Sequence, residues 1–237
     1  MKKLVLFTMI LLCAFTFDST AQRKRKRTAT SQGNWVLRTG IGFNMNSEIK
    51  PDGFENSSNN FRFSPALSYM IIDNLEIGAN VNVSNGTERF EFDQTNRQEV
   101  DETNFGFGIF AQKYFPLNNW FSFYTKADIG ILTGSGETRT IVGSETTPNG
   151  FVNNGVQGGL HFGFAFTPYN AFALYSDFAG LAISNMKTNP DGNEQATSIT
   201  NAGFNVLGNQ MGTQNNAMSS PINLGIAWFF GRGLWRR

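Results

Sequence analysis

Pro221-Ile222-Asn223-Leu224-Gly225-Ile226-Ala227-Trp228-Phe229-Phe230-Gly231, near the C-terminus, places two kinds of residue on alternate positions. In an extended chain Ile222, Leu224, Ile226, Trp228 and Phe230 point to one side, and Asn223, Gly225, Ala227 and Phe229 to the other. One side is broadly apolar; the other is small or polar except at Phe229. A strand with this period of two can face lipid outward and a narrow interior inward, and it needs only about 9 to 11 residues to cross a bilayer. Everything upstream is tested against this pattern.

The alternation recurs seven times. The first strand sets Trp35, Leu37, Thr39, Ile41, Phe43 and Met45 against Arg38, Gly40, Gly42 and Asn44. The second sets Phe61, Phe63, Leu67, Tyr69 and Ile71 against Arg62, Ser64, Ala66 and Ser68, and Asp73-Asn74 reverses it into a third with Leu75, Ile77, Ala79, Val81 and Val83 against Glu76, Gly78, Asn80 and Asn82. The fourth places Phe105, Phe107, Ile109 and Ala111 opposite Gly106, Gly108, Phe110, Gln112 and Tyr114, ending at Pro116-Leu117-Asn118-Asn119. The fifth runs from Trp120, with Phe121, Phe123, Thr125, Ala127, Ile129 and Ile131 outward and Ser122, Tyr124, Lys126, Asp128 and Gly130 inward. The sixth (Leu160, Phe162, Phe164, Phe166 against Gly159, His161, Gly163, Ala165) turns at Thr167-Pro168-Tyr169-Asn170 into the seventh, where Phe172, Leu174 and Phe178 oppose Tyr175, Asp177 and Ala179.

Polar segments rich in turn residues separate the strands around Pro51 to Asn60, Asn85 to Glu102, up to Asn154, and Asn185 to Ser220; all four read as long loops. Connections therefore alternate long and short. The predicted fold is all-β: an eight-stranded antiparallel up-and-down transmembrane β-barrel with short periplasmic turns and long extracellular loops. An open sheet in lipid would leave edge N–H and C=O groups unpaired at several kcal/mol each, so the sheet must close. The 24 Phe and 25 Gly among 237 residues suit this, Phe coating the outside and Gly making room within.

Ahead of the barrel, Lys2-Lys3, the apolar run Leu4 to Phe17 and Ser19-Thr20-Ala21 form the three regions of a secretory signal peptide cleaved after Ala21. The apolar run is shorter than the roughly 20 residues of a membrane helix. The domain reading is signal peptide 1–21, a basic and polar N-terminal tail 22–33 whose last six residues are a Thr/Ser/Gln linker, barrel 34–231, and a periplasmic extension 232–237. The sole cysteine, Cys13, lies in the signal segment, so disulfides and thiolate chemistry are excluded from the mature chain. Arg23-Lys24-Arg25-Lys26-Arg27 reads as a solvated tail or as an arm against anionic headgroups, each basic residue gaining about 1 kcal/mol near such a surface. A formal net charge of +1 leaves no basic face for nucleic acid.

By this register the lumen receives Arg38, Arg62 and Lys126 together with Glu76, Asp128 and Asp177, which are expected to pair. Eight strands enclose a space that side chains fill, whereas aqueous porin channels take about 16. A filled lumen is thus the leading expectation and a narrow permeation path for small solutes or hydrophobic molecules the alternative. Trp35, Tyr69, Phe115, Trp120, Trp228 and Phe230 are expected at the periplasmic rim as an aromatic belt, with Phe43, Phe61 and Phe105 at the outer one.

The signal peptide, Ser64 to Gly78, the segment Gly108-Ile109-Phe110-Ala111-Gln112-Lys113-Tyr114-Phe115-Pro116 and the terminal strand together resemble the small bacterial outer-membrane β-barrel domain family, itself similar to porin-family and outer-membrane-protein-A-type barrels. The spacing of Asn223, Gly225, Trp228 and Phe230 is similar to the C-terminal signal read by barrel-assembly machinery, although here Arg232 to Arg237 continue past it. The resemblance implies a monomeric outer-membrane protein of a Gram-negative bacterium, with outer-membrane lipid and the assembly machinery as partners and extracellular or envelope ligands on the loops. It implies fold and location, hardly function.

Chemistry-bearing motifs are sparse. His161, the single histidine, is expected as a lumen residue bonded to polar neighbours. Outer-membrane lipid A deacylases resemble this architecture but carry His-any-Ser, and the aspartyl-type proteases Asp-any-His; here Gly163 and Gly159 occupy those positions. Ser122 and Ser176 are the remaining nucleophile candidates for an envelope lipid-modifying enzyme, the least favoured function. Gly40/Gly42 and Gly106/Gly108 precede no helix and so are not phosphate loops. Asn189-Pro190-Asp191-Gly192-Asn193-Glu194 lacks the ladder of acidic positions a calcium loop needs and reads as a turn. No catalytic, cofactor or metal residue is assigned, and no cofactor is expected.

Overall fold

A computed structural model describes residues 28–49, 55–93, 95–169, 171–190, 197–206, 209–212 and 223–231. The basic run 23–27, the signal segment, the turn 191–194 and the extension 232–237 lie outside these residues. Every regular element described is a strand: β1 (Trp35–Ile49), β2 (Glu55–Ile72), β3 (Leu75–Glu91), β4 (Asn96–Pro116), β5 (Phe121–Val142), β6 (Glu145–Tyr169), β7 (Phe172–Pro190), β8 (Thr197–Val206), β9 (Asn209–Gly212) and β10 (Asn223–Phe230).

β1 to β7 form an antiparallel meander, and β10 closes it by pairing with β1 on one side and β7 on the other. The result is a ring of eight strands. The terminal strand is thus the closing member, with Gly225 opposite Gly40 on β1 and opposite Tyr175 on β7. Alternation of exposure follows the sequence reading: on β1, Trp35, Leu37, Ile41 and Phe43 are exposed while Val36, Arg38 and Gly40 are buried.

The segments read as long loops are mostly strand. β3 and β4 pair continuously up to Glu91 opposite Arg97, and β5 and β6 up to Val142 opposite Glu145. β6 alone is 25 residues, more than twice a membrane crossing. Beyond the bilayer both faces meet water, so no apolar alternation is required there, yet the backbone ladder continues unchanged. Within the segment 185–220, likewise, β7 runs on to Pro190 and β8 and β9 add to its upper part.

A second departure concerns the phase of β7. Phe162 pairs with Ala179 and Gly163 with Asp177, leaving Phe178 as a bulge. Below it Tyr175 and Asp177 face inward; above it Leu181 and Ile183 face outward. Ala179, expected inward, accordingly lies in the outward row opposite Phe162. The bulge falls where β7 exchanges its partner, β10 below and β8 above.

Residues 28–33, read as a linker, form a tight turn packed beneath the short-turn end. Ala29 and Thr30 are buried there, and Gly33 takes φ 89°, a conformation that a side chain would oppose.

Candidate functional site: the lumen

The lower lumen is built on Glu76, the first inward residue of β3 after the Asp73-Asn74 turn. Burying a lone carboxylate is costly, so its oxygens must find donors. Arg38 Nη2 on β1 donates to both, at 2.8 and 2.7 Å, Ser68 Oγ on β2 donates at 2.5 Å, and Tyr114 OH on β4 at 2.7 Å. Arg38 Nη1 donates in turn to Gln112 Oε1 at 2.6 Å. Glu76 is 0% and Arg38 6% exposed, so this ion pair is sequestered from water.

Aromatic rings complete the layer, and glycines on the next strand make room for them. The Arg38 guanidinium lies 4.8 Å from the Tyr175 ring centre and 5.6 Å from that of Phe110. A Cβ on Gly225 would stand 2.0 Å from the Tyr175 ring, one on Gly78 2.8 Å from Phe110, and one on Gly163 2.3 Å from Tyr124. Each glycine is the direct cross-strand partner of the ring it seats. Together with Tyr124, the side chains of Val36, Met70 and Phe229, none more than 1% exposed, pack the lower cross-section.

Above this layer the lumen widens into a polar cavity of about 80 Å³ bordered by Arg62, Ser64, Asn80, Lys126, Asp128 and Asp177, among others. Asp128 Oδ2 accepts from His161 Nε2 at 2.8 Å and lies 3.7 Å from Lys126 Nζ. Asp177 Oδ1 accepts from Tyr124 OH at 2.5 Å. Such a volume holds a handful of waters, at roughly 10–15 Å³ each by this measure.

Of the six ionisable residues, Arg38 and Glu76 are buried in the lower layer, and Arg62, Lys126, Asp128 and Asp177 border the cavity above. Arg38 meets Glu76 and Lys126 meets Asp128, whereas Asp177 is met by a phenol. His161 also faces the lumen, on Asp128. Ser122 lies four residues along β5 from the partner of His161, roughly 13 Å at 3.3 Å per residue. Ser176 is in the outward row between Phe164 and Leu224. Neither is placed as a nucleophile for His161. Sequence reasoning counted charges but missed Ser68, Gln112, Tyr114 and Tyr124 as their partners; the signal was the polar tip of each inward residue on neighbouring strands.

At the short-turn rim Trp35 is flanked by Tyr69, with ring centres 5.1 Å apart, and by Phe230 across β10. Phe115 packs on Phe123 at 5.8 Å, Trp228 on Phe172 at 6.1 Å, and Trp120 is 63% exposed. Phe43 and Phe61 meet at 5.0 Å eight residues higher on β1, and Phe105 on β4 faces outward near that level. The terminal residues Trp228 and Phe230 point outward and Gly225 inward beneath Tyr175.

The eight antiparallel strands, with apolar residues outward and aromatic rings at the rims, form a transmembrane β-barrel. Its strands are arranged similarly to those of Neisserial surface protein A (12% identity, 84% of this chain and 98% of that one, TM-score 0.43). Similar too are the outer membrane protein OprG from Pseudomonas aeruginosa (10% identity, 86% and 100%, TM-score 0.45) and a major outer membrane protein from Thermus thermophilus (13% identity, 84% and 99%, TM-score 0.46). No protein-family model and no curated protein sequence matches the chain.

Proposed function

We propose that the chain is a non-enzymatic integral protein of the bacterial outer membrane, exported by its signal peptide and inserted by the barrel-assembly machinery as a monomer. Its short turns face the periplasm. Its tall hairpins stand outside the cell and are the working surface, for surface interaction or envelope integrity. The observation that supports this reading is the lower lumen, where Val36, Met70, Glu76, Tyr124 and Phe229 are each 0 to 1% exposed around Arg38. A barrel so filled is an anchor and not a conduit. The purified protein in planar bilayers is expected to give no stable conductance steps. Reproducible steps that vanish in Asp128→Ala would overturn the sealed lumen in favour of a narrow channel for small solutes, the reading that the polar cavity above Arg38 favours.

A further inference from the structure

The turn at residues 28–34 is attached to the barrel but is not part of its ring. β1 finds both neighbours from Trp35 onward, with Tyr69 on one side and Phe230 on the other. The turn closes on itself: Ser31 N donates to Thr28 O at 3.1 Å, and Asn34 Nδ2 to the carbonyls of Thr28 and Ala29. Its outside bonds go to one place, the end of β2 and the turn after it. Gly33 N donates to Met70 O at 2.9 Å and Asn74 N to Thr30 O at 2.8 Å. Thr30 Oγ1 donates to Asn74 Oδ1 at 2.6 Å, Gln32 N to Asp73 Oδ1 at 2.7 Å, and Gln32 Nε2 to Ile71 O at 2.9 Å. A single apolar group enters the barrel from this turn: the methyl of Ala29, 3% exposed, in the cluster that includes Val36, Met70, Tyr114 and Phe229.

A self-contained turn, bonded to the edge of the barrel at β2 and inserting one methyl, has the anatomy of a lid. We propose that residues 28–33 close the periplasmic mouth of the barrel reversibly. Docked, the lid keeps water from Met70 and from the Tyr114–Glu76–Arg38 layer above it. Undocked, it leaves the eight-stranded ring intact and opens that layer to the periplasm. This goes one step beyond the sealed lumen and rests on it, since a lid matters only where the strands leave a mouth to cover.

The only cysteine, Cys13, lies in the signal segment, so a thiol reporter introduced behind the lid of the mature chain reads alone. Met70→Cys in the otherwise full mature chain, folded in detergent and checked by heat-modifiable migration, is treated with a water-soluble maleimide. The reporter is then combined with Ala29→Glu, whose charge cannot stay in the cluster, and with a Gly/Ser replacement of residues 28–32. Labelling is expected to rise roughly tenfold or more in the lid variants, as local opening of a weakly held segment does. Equal rates in folded intact and lid-variant proteins would overturn the lid, as would rapid labelling with the lid intact. Failure of both lid variants to fold would also overturn it, because the ring is claimed to stand without them. Should Met70→Cys itself not fold, Val36→Cys reports from the same layer. Conductance separates the two claims: a conducting wild-type protein sinks the sealed lumen, whereas a closed wild type with unchanged labelling sinks only the lid.

Discussion

Two of the barrel's charged clusters hold ion pairs of nearly equal length in opposite surroundings. Arg38 and Glu76 meet at 2.7 Å in the lumen, 6% and 0% exposed. On the outer face of the hairpins, Arg139 meets Glu137 at 2.7 Å and Asp101 at 2.9 Å, with all three between 41% and 44% exposed. Distance does not rank them. The outer charges keep most of their hydration and are screened by salt, so they contribute little to stability. The inner charges have given up water, so the pair is worth little net but each member alone would be very costly. What the lumen gains from its network is dependence of each strand on the others; what the hairpins gain is solubility.

Gly225→Arg should have the largest effect, since it drives a side chain into the Tyr175 ring that stacks on Arg38; loss of the heat-modifiable folded band is expected. Arg38→Ala comes next, stranding Glu76 at about 3–5 kcal/mol, read by urea unfolding in lipid vesicles. The double variant Arg38→Met with Glu76→Leu should recover most of that loss. If it is as unstable as Arg38→Ala, the buried network contributes more than compensation and the contrast with the outer pair is wrongly drawn. Arg139→Ala should leave the urea midpoint nearly unchanged, with any difference shrinking further at high salt. The smallest effect belongs to Asp93 at the β3–β4 tip, whose carboxylate accepts from the Thr95 and Asn96 backbone amides and from both side chains. Those bonds, the Thr95 amide foremost, hold its pKa below the ordinary 3.8. Its contribution is therefore complete above that value and is lost as the pH falls below it. The protection of the Thr95 amide, its exchange rate taken relative to the intrinsic rate at each pH, should fall only in acid, and protection independent of pH in Asp93→Asn would agree.

The ring was legible because each membrane-crossing strand must be apolar on one face, and Trp35 to Phe43 or Leu224 to Phe230 show it without help. Three features were hidden, each for its own reason. The upper parts of β3 to β6 have water on their outer face, so Arg89, Glu99 and Arg139 carry no period of apolar residues to betray a strand. The bulge at Phe178 inserts a residue that the alternation of Leu174 and Leu181 can only absorb as a change of phase, and Ala179 was assigned the wrong side. The turn at 28–34 owes its place to partners some 40 residues away, Asp73 and Asn74, which no local pattern announces. In the lumen, the charged residues could be named from register alone; which oxygen each would meet depended on uncharged tips at Ser68, Tyr114 and Tyr124.

The ring-bearing glycines have a consequence for assembly. Gly78 with Phe110, Gly163 with Tyr124 and Gly225 with Tyr175 occur on β3–β4, β5–β6 and β7–β10, three seams that no short turn links at this end of the barrel. Two strands sliding past each other there could stop at several offsets that satisfy the backbone equally well. A slip of two residues would preserve which face is apolar but set a ring against a side chain. The glycine admits the ring at its own offset, so each pair acts as a keyway that favours one register of its seam. On the β7–β10 seam the key is Tyr175 and the slot is Gly225, in the middle of the terminal strand.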